Sequence, residues 1–193
     1  MRVISGSARG RKLKTPKSSE TRPIMDRVKT ALFDILAPDI VGMRVLDLFA
    51  GTGAVGIEAL SRGADAATFI ERSPDAWRLV RENLALTNLS DRAEVLRADA
   101  FAFLQQAAAT NRRYDLVYVA PPQYAGLAAR ALAQLDEAPL TETDGLVIVQ
   151  IDPRERAEVD ALTLRQLRRY DERRYGSTLL LFYTLDEESH ATN

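Results

Sequence analysis

Val45-Leu46-Asp47-Leu48-Phe49-Ala50-Gly51-Thr52-Gly53-Ala54-Val55-Gly56 is the stretch whose reading decides the fold. A short apolar run ends in a Gly-x-Gly turn, and helix-forming residues continue through Ala59 and Leu60. Strand, tight turn and helix make the opening unit of an α/β fold, which binds ligands at the carboxyl ends of its strands. Gly51, Gly53 and Gly56 satisfy Gly-x-Gly-x-x-Gly, and Glu71 lies 20 residues beyond Gly51. Taken mechanically, that is the dinucleotide fingerprint. Asp47 argues against it. A carboxylate at the strand end does nothing for a pyrophosphate, but it stabilises the ammonium and sulfonium of S-adenosylmethionine. Glu71 can accept from ribose hydroxyls, and Asp99, after the third strand, is placed to accept from the adenine amino group. Each acid has a plainer alternative: a loop cap for Asp47, a solvated strand end for Glu71, a helix N-cap for Asp99. Three acids closing three consecutive strands beside one glycine turn favour the cofactor site. Phe49, Ala50, Thr52, Arg72 and Ala100, on the same loops, complete the expected cofactor contacts.

Working outward, strands are predicted near 45–49, 67–70, 93–96, 114–119, 146–150, 163–170 and 177–184. Helices are predicted near 25–36, from the Gly53 turn, from Ser73-Pro74, after Asp99, near 125–135 and near 153–161. Asp26 is a plausible cap for the first, Pro38 stops it, and Ser73 with Pro74 caps and opens the third. Gly145 marks the start of the fifth strand, and Asp152-Pro153 starts a helix. Trp77 is read as core, and the arginines at 165, 168, 169, 173 and 174 as a solvated strand and turn. The alternation implies a Rossmann-like α/β fold: a mostly parallel seven-stranded sheet with an antiparallel last strand.

Composition limits the chemistry. The 193 residues suit one compact domain, and 46% hydrophobic with 27% charged residues describes a chain able to bury a core. No apolar run approaches the ~20 residues of a membrane span, and no apolar leader opens the chain, so a cytoplasmic protein is expected. There is no cysteine, which removes disulfides, thiolate zinc sites and covalent cysteine chemistry such as 5-methylcytosine formation. The single histidine, His190, sits in the tail, and no metal is expected. Residues 1–29 hold nine Lys and Arg against Glu20 and Asp26, a balance of +7 in a chain of net charge −1. A basic arm on an acidic body suits a polyanion contacted from one end, although a solubilising tail would have the same charge. Val3, Ile4 and Leu13 interleaved with Gly6 and Gly10 suggest a short hairpin.

The chain resembles a known family. The resemblance is carried by Arg2-Val3-Ile4-Ser5-Gly6 with Arg9-Gly10-Arg11-Lys12-Leu13, by Thr21-Arg22-Pro23 with Asp26-Arg27-Val28 and Leu32-Phe33, and by the glycine loop. Gly56-Ile57-Glu58-Ala59-Leu60-Ser61-Arg62-Gly63-Ala64 and Asp144-Gly145 extend it over nearly the whole chain. These stretches look like the bacterial RsmD-type class I methyltransferases, which methylate the exocyclic N2 of a guanine in 16S ribosomal RNA. The resemblance implies S-adenosylmethionine as cofactor and ribosomal RNA or the small ribosomal subunit as partner. It also implies that Arg2, Arg9, Arg11, Lys12, Lys14, Arg22 and Arg27 hold the RNA. The expected organisation is a monomer with a basic extension over 1–22, a methyltransferase domain over 23–185 and a frayed tail over 186–193.

The departure is in the catalytic motif. The family carries Asp or Asn, Pro-Pro, then Tyr or Phe after the fourth strand; this chain has Ala120-Pro121-Pro122-Gln123-Tyr124. In the family pattern a side-chain oxygen and a backbone carbonyl accept from the target amine, and the aromatic ring stacks on the flipped base. Three readings stay open. Gln123 supplies the oxygen and Tyr124 stacks one position later, or the backbone carbonyls of Ala120 and Pro121 suffice, or activity is lost and a silent RNA-binding module remains. Adenine-N6 methylation, which uses a related Pro-Pro motif, is the alternative among enzymes.

Overall fold

The computed structural model describes residues 1–16, 26–37 and 39–186. Thr21-Arg22-Pro23, Pro38 and the tail from 187 lie outside the described residues. The chain divides into two compact units, Met1–Ala100 and Phe101 onward.

The first unit contains α1 (Asp26–Leu36), β1 (Arg44–Asp47), α2 (Ala54–Ser61), β2 (Ala66–Ile70), α3 (Pro74–Thr87) and β3 (Ala93–Leu96). Its three strands are parallel, with β2 between β1 and β3; Asp47 pairs with Phe69, and Ile70 with Leu96. The helical spacing of Val28, Ala31, Leu32, Ile35 and Leu36 predicts the apolar stripe of α1. Val28, Leu32 and Leu36 are buried with Phe33, while Ala31 is half-buried and Ile35 is exposed, so the buried face is rotated from the predicted one. Asp26 is its first helical residue rather than its cap. Ser73 caps α3, its side chain accepting from Ala76 N, with Pro74 in the first turn. Trp77 is half-buried, its indole N–H donating to the Val95 carbonyl at 3.2 Å.

The second unit contains α4 (Ala100–Ala109, beginning at the boundary residue), β4 (Tyr114–Val119), α5 (Leu127–Glu137), β5 (Thr141–Ile151), α6 (Arg156–Asp160), β6 (Leu167–Tyr175) and β7 (Thr178–Leu185). β4 and β5 are parallel, and β7 runs antiparallel between β5 and β6. Leu179 to Phe182 are all buried, as a strand flanked on both sides requires. Together the seven strands make a mostly parallel mixed sheet. Among the described residues no helix is long and apolar enough to cross a membrane.

Several predicted boundaries shift: α5 lies two residues later than expected, and β6 runs to Tyr175 rather than 170. β1 ends at Asp47, so Leu48 and Phe49 belong to the turn. β5 begins at Thr141 rather than 146, with Gly145 inside the strand. Tyr114 pairs with Thr141 and Leu116 with Leu146, so residues 142–145 bulge, and Gly145 makes the bulge possible because a Cβ there would lie 2.8 Å from Thr141 Cβ. β6 starts at Leu167 rather than 163, because Arg165 and Gln166 are drawn off by the Asp136 carboxylate, which accepts from their backbone N–H groups.

Candidate cofactor and acceptor sites

In the first unit the glycine turn follows β1. Gly53 N donates to the Ala50 carbonyl at 2.7 Å with Gly53 at φ 75°, a conformation that suits glycine. Gly56 serves packing: a Cβ there would lie 2.3 Å from the Phe69 ring of β2, so only a bare Cα lets α2 settle on the sheet. Asp47, 2% exposed, accepts from Gly56 N at 3.2 Å. Burial pushes its carboxyl up to about 7; the Gly56 hydrogen bond opposes the shift and the charge of Glu71 adds to it. A buried acid in that state is stabilised by a cation, which fits the ammonium and sulfonium of S-adenosylmethionine and not a pyrophosphate.

Glu71 follows β2 and shapes the loop. Its two oxygens accept from Gly51 N at 2.9 Å and Ser73 N at 2.7 Å, joining the glycine turn to the start of α3. An ionised carboxylate has about four acceptor positions, so capacity for ribose hydroxyls remains. Phe49 and Gly51 are half-buried, Ala50 and Thr52 buried, Arg72 exposed. Asp99 is exposed in the loop between β3 and α4, next to buried Ala100.

The N-terminal arm belongs to the same unit. Val3 N donates to the Arg11 carbonyl and Gly10 N to the Val3 carbonyl, closing a tight hairpin with an antiparallel bridge between Arg2 and Lys12. Glu58, fully buried in α2, accepts from Ile4 N and Ser5 N at 2.9 Å each, and pairs with Lys29 at 3.0 Å and Arg62 at 2.9 Å. Asn83 of α3 accepts from Lys14 N at 2.8 Å and donates to the Thr52 carbonyl at 2.9 Å, so the arm and the glycine turn share one buried amide. Arg2, Arg9, Arg11, Lys12, Lys14 and Arg27 are exposed; Arg22 lies outside the described residues. Sequence reasoning missed Glu58, Lys29 and Asn83. A signal was present for Lys29 and Glu58, charged residues at buried helical spacing among apolar ones; Asn83 shares its face with Thr87 as well as Val80 and Leu84.

In the second unit Ala120-Pro121-Pro122 leaves the end of β4. Pro121 is buried, Ala120 and Gln123 are half-buried, and Tyr124 is 55% exposed. Among the described residues the Gln123 amide has no hydrogen-bond partner. Tyr124 N donates to Glu155 Oε1 and its hydroxyl to Asp152 Oδ2, both at 2.8 Å. Asp152 and Glu155 form a capping box at the turn after β5. The sequence analysis found this helix start without connecting it to Tyr124.

Comparison with known proteins shows the family and the fold. The family model described as conserved hypothetical protein 95 matches residues 1–184. Ribosomal RNA small subunit methyltransferase D of Escherichia coli (strain K12) is 39% identical over 150 residues, covering 78% of this chain and 74% of that protein. The enzyme of the same name from Haemophilus influenzae is 37% identical over 153 residues, covering 79% of each. Among solved structures, the hypothetical protein TTHA0928 of Thermus thermophilus superposes with TM-score 0.76 at 35% identity, over 94% of this chain and 98% of that one. SMU.776, a provisionally assigned methyltransferase solved with SAH, shares the fold at TM-score 0.66 and 15% identity, over 81% of this chain and 49% of its own.

Proposed function

Since the chain belongs to the RsmD-type family of ribosomal RNA methyltransferases and uses S-adenosylmethionine, we propose that it methylates the exocyclic N2 of a guanine in 16S ribosomal RNA. The observation that carries the acceptor assignment is the Pro121-Pro122 turn, which presents an exposed Tyr124 ring and an unengaged Gln123 amide.

Asp47, Gly51, Gly53, Glu71 and Asp99 hold the cofactor in this reading, with Phe49, Ala50, Thr52, Arg72 and Ala100 around it. Bound S-adenosylmethionine supplies an electrophilic methyl group on a sulfonium whose leaving group is a neutral thioether. The chain's own work is positioning. Tyr124 stacks on the flipped base. The Gln123 oxygen, with the Ala120 and Pro121 carbonyls, accepts from the N2 hydrogens, which turns the nitrogen lone pair out of conjugation and towards the methyl. The proton passes to water after transfer, so the turn needs no strong base, and alanine at position 120 is compatible with catalysis. Arg2, Arg9, Arg11, Lys12, Lys14, Arg22 and Arg27 bind RNA phosphates. The chain acts as a monomer in the cytoplasm, its basic extension over 1–22 preceding the catalytic domain over 23–185.

The test is transfer from labelled S-adenosylmethionine to small ribosomal subunits lacking the modification, followed by nucleoside analysis. Label in N2-methylguanosine, reduced at least 10-fold by Gln123→Ala, is the expected result. Label in N6-methyladenosine, or cofactor binding with no transfer to any subunit, overturns it.

A further inference from the structure

The turn after β5 holds two carboxylates, Asp152 and Glu155, each 4% exposed, on a helical start of three residues. Their oxygens divide in the same way. Glu155 Oε2 accepts from Asp152 N at 3.1 Å, closing the local cap, while Oε1 takes Tyr124 N. Asp152 Oδ1 accepts from Arg154 N at 2.9 Å, while Oδ2 takes the Tyr124 hydroxyl. A cap needs only the first oxygen of each pair; the second two converge on one residue 28 and 31 positions earlier in the chain.

That residue stands at φ 61°, a left-handed conformation unusual for a tyrosine and held only where the surroundings fix it. Arg154 completes the cluster. Its guanidinium lies 4.7 Å from the Tyr124 ring centroid and also bonds the phenol oxygen. One ring face is therefore covered by a cation, while the residue as a whole stays 55% exposed. The hydrogen bond to Asp152 raises the phenol above its ordinary value, so it remains a donor at neutral pH. Arg154, through its hydrogen bonds, holds the Asp152 carboxyl far below the ordinary carboxylate range.

We propose that Asp152 and Glu155 are positioning residues that lock Tyr124 by its hydroxyl and its backbone, with Arg154 backing one ring face, so that the acceptor base stacks on the other. Asp152 does not replace the side-chain oxygen missing at position 120, because its acceptor positions are already filled by the Tyr124 hydroxyl and by Arg154 N, Nε and Nη2. The base then lies on a ring whose opposite face carries a cation, an arrangement that suits an electron-rich purine. This inference rests on the reading that Tyr124 stacks on the base.

The test measures kcat, KM for unmodified small subunits and cofactor Kd. Tyr124→Phe, which removes one hydroxyl and keeps the ring, is expected to lower kcat about 10-fold, with KM and cofactor Kd within about 3-fold of wild type. Asp152→Ala should lose as much, and the double variant no more than the worse single. Asp152→Asn, whose one amide oxygen keeps the cap on Arg154 N while its amide N–H donates to the phenol oxygen, should recover most of the loss. Wild-type kcat in Tyr124→Phe alongside a roughly 100-fold loss in Tyr124→Ala overturns the lock and leaves stacking intact. Wild-type kcat in Tyr124→Ala overturns the stacking reading itself. Additive losses in the double variant also overturn the lock. If Asp152→Ala does not fold, Tyr124→Phe decides alone, because it alters no buried charge.

Discussion

Residues 1–14 and the β6–β7 hairpin are both rich in basic side chains, yet they dispose of their charge in opposite ways. In β6 the arginines meet carboxylates: Arg169 pairs with Asp160 at 2.7 Å, Arg173 with Asp171 at 2.9 Å, and Glu172 takes Arg156 at 3.0 Å. In the arm the anchoring is mainly by backbone, with Lys14 on Glu82 at 2.7 Å and Arg11 on the Leu86 carbonyl at 2.8 Å as the side-chain exceptions. Ile4 and Ser5 give their N–H groups to buried Glu58, whose charge Lys29 and Arg62 offset. Among the described residues Arg2, Arg9 and Lys12 have no carboxylate partner. A hairpin held by its main chain leaves its cations for a polyanion; one laced by side-chain pairs does not. Counting charges cannot distinguish the two.

The comparison breaks most readily at Glu58. Glu58→Ala leaves Lys29 charged and buried without its partner, a loss of about 3–5 kcal/mol. Denaturant unfolding should show it, together with loss of RNA affinity. A change below about 1 kcal/mol would mean the arm is anchored otherwise.

Asp47 sharpens the contrast between buried acids, since its hydrogen bond comes from a backbone N–H and, among the described residues, no lysine pairs with it. Its carboxyl titrates at about 7 folded, against 3.8 for the ordinary value. Between those values the folded state retains a proton that the unfolded chain has lost, so cofactor-free stability falls as pH rises from about 4 to 7, then levels. The full effect is at most about 4 kcal/mol. Saturating S-adenosylmethionine should flatten the slope, because its cation favours the ionised acid. Unfolding curves at pH 5 and pH 8, with and without cofactor, read both effects.

Gly6 tests the docking of the arm alone. At φ 80°, with an added Cβ only 1.8 Å from the Ser61 carbonyl oxygen, Gly6→Ala must displace the hairpin. A stability loss of about 1–3 kcal/mol is expected, with weaker RNA binding and unchanged cofactor Kd by calorimetry. Smallest is the charge itself. Replacing Arg9, Arg11 and Lys12 by alanine should reduce the salt slope of RNA binding by about 2–3. The double change Arg169 and Arg173 to alanine should leave the slope within about 0.5. Equal slopes in both variants would abolish the distinction between the hairpins.

Local pattern carried much of this molecule. Alternating apolar runs and helical stripes gave the strand and helix order, because period and punctuation are local properties. The three acids at or just beyond the ends of β1, β2 and β3 were visible because strand ends are visible. What period could not supply was partnership across long sequence separations. Gly145 reads as the start of a strand in sequence and lies in a bulge inside it in space. Asp152-Pro153-Arg154-Glu155 reads as a helix start, and only folding brings its spare oxygens to Tyr124.

By itself, then, the sequence determined the α/β order, the glycine turn with its acid, the altered Ala120 motif and the family, all properties of residues near one another along the chain. Tertiary structure alone decided which charges are neutralised. Glu58 holding residues 4 and 5, Asn83 joining Lys14 to Thr52, and Asp152 with Glu155 gripping Tyr124 each link groups 28 to 69 positions apart. Burial makes such polar groups find partners wherever the fold supplies them, and no periodicity in the chain records that choice.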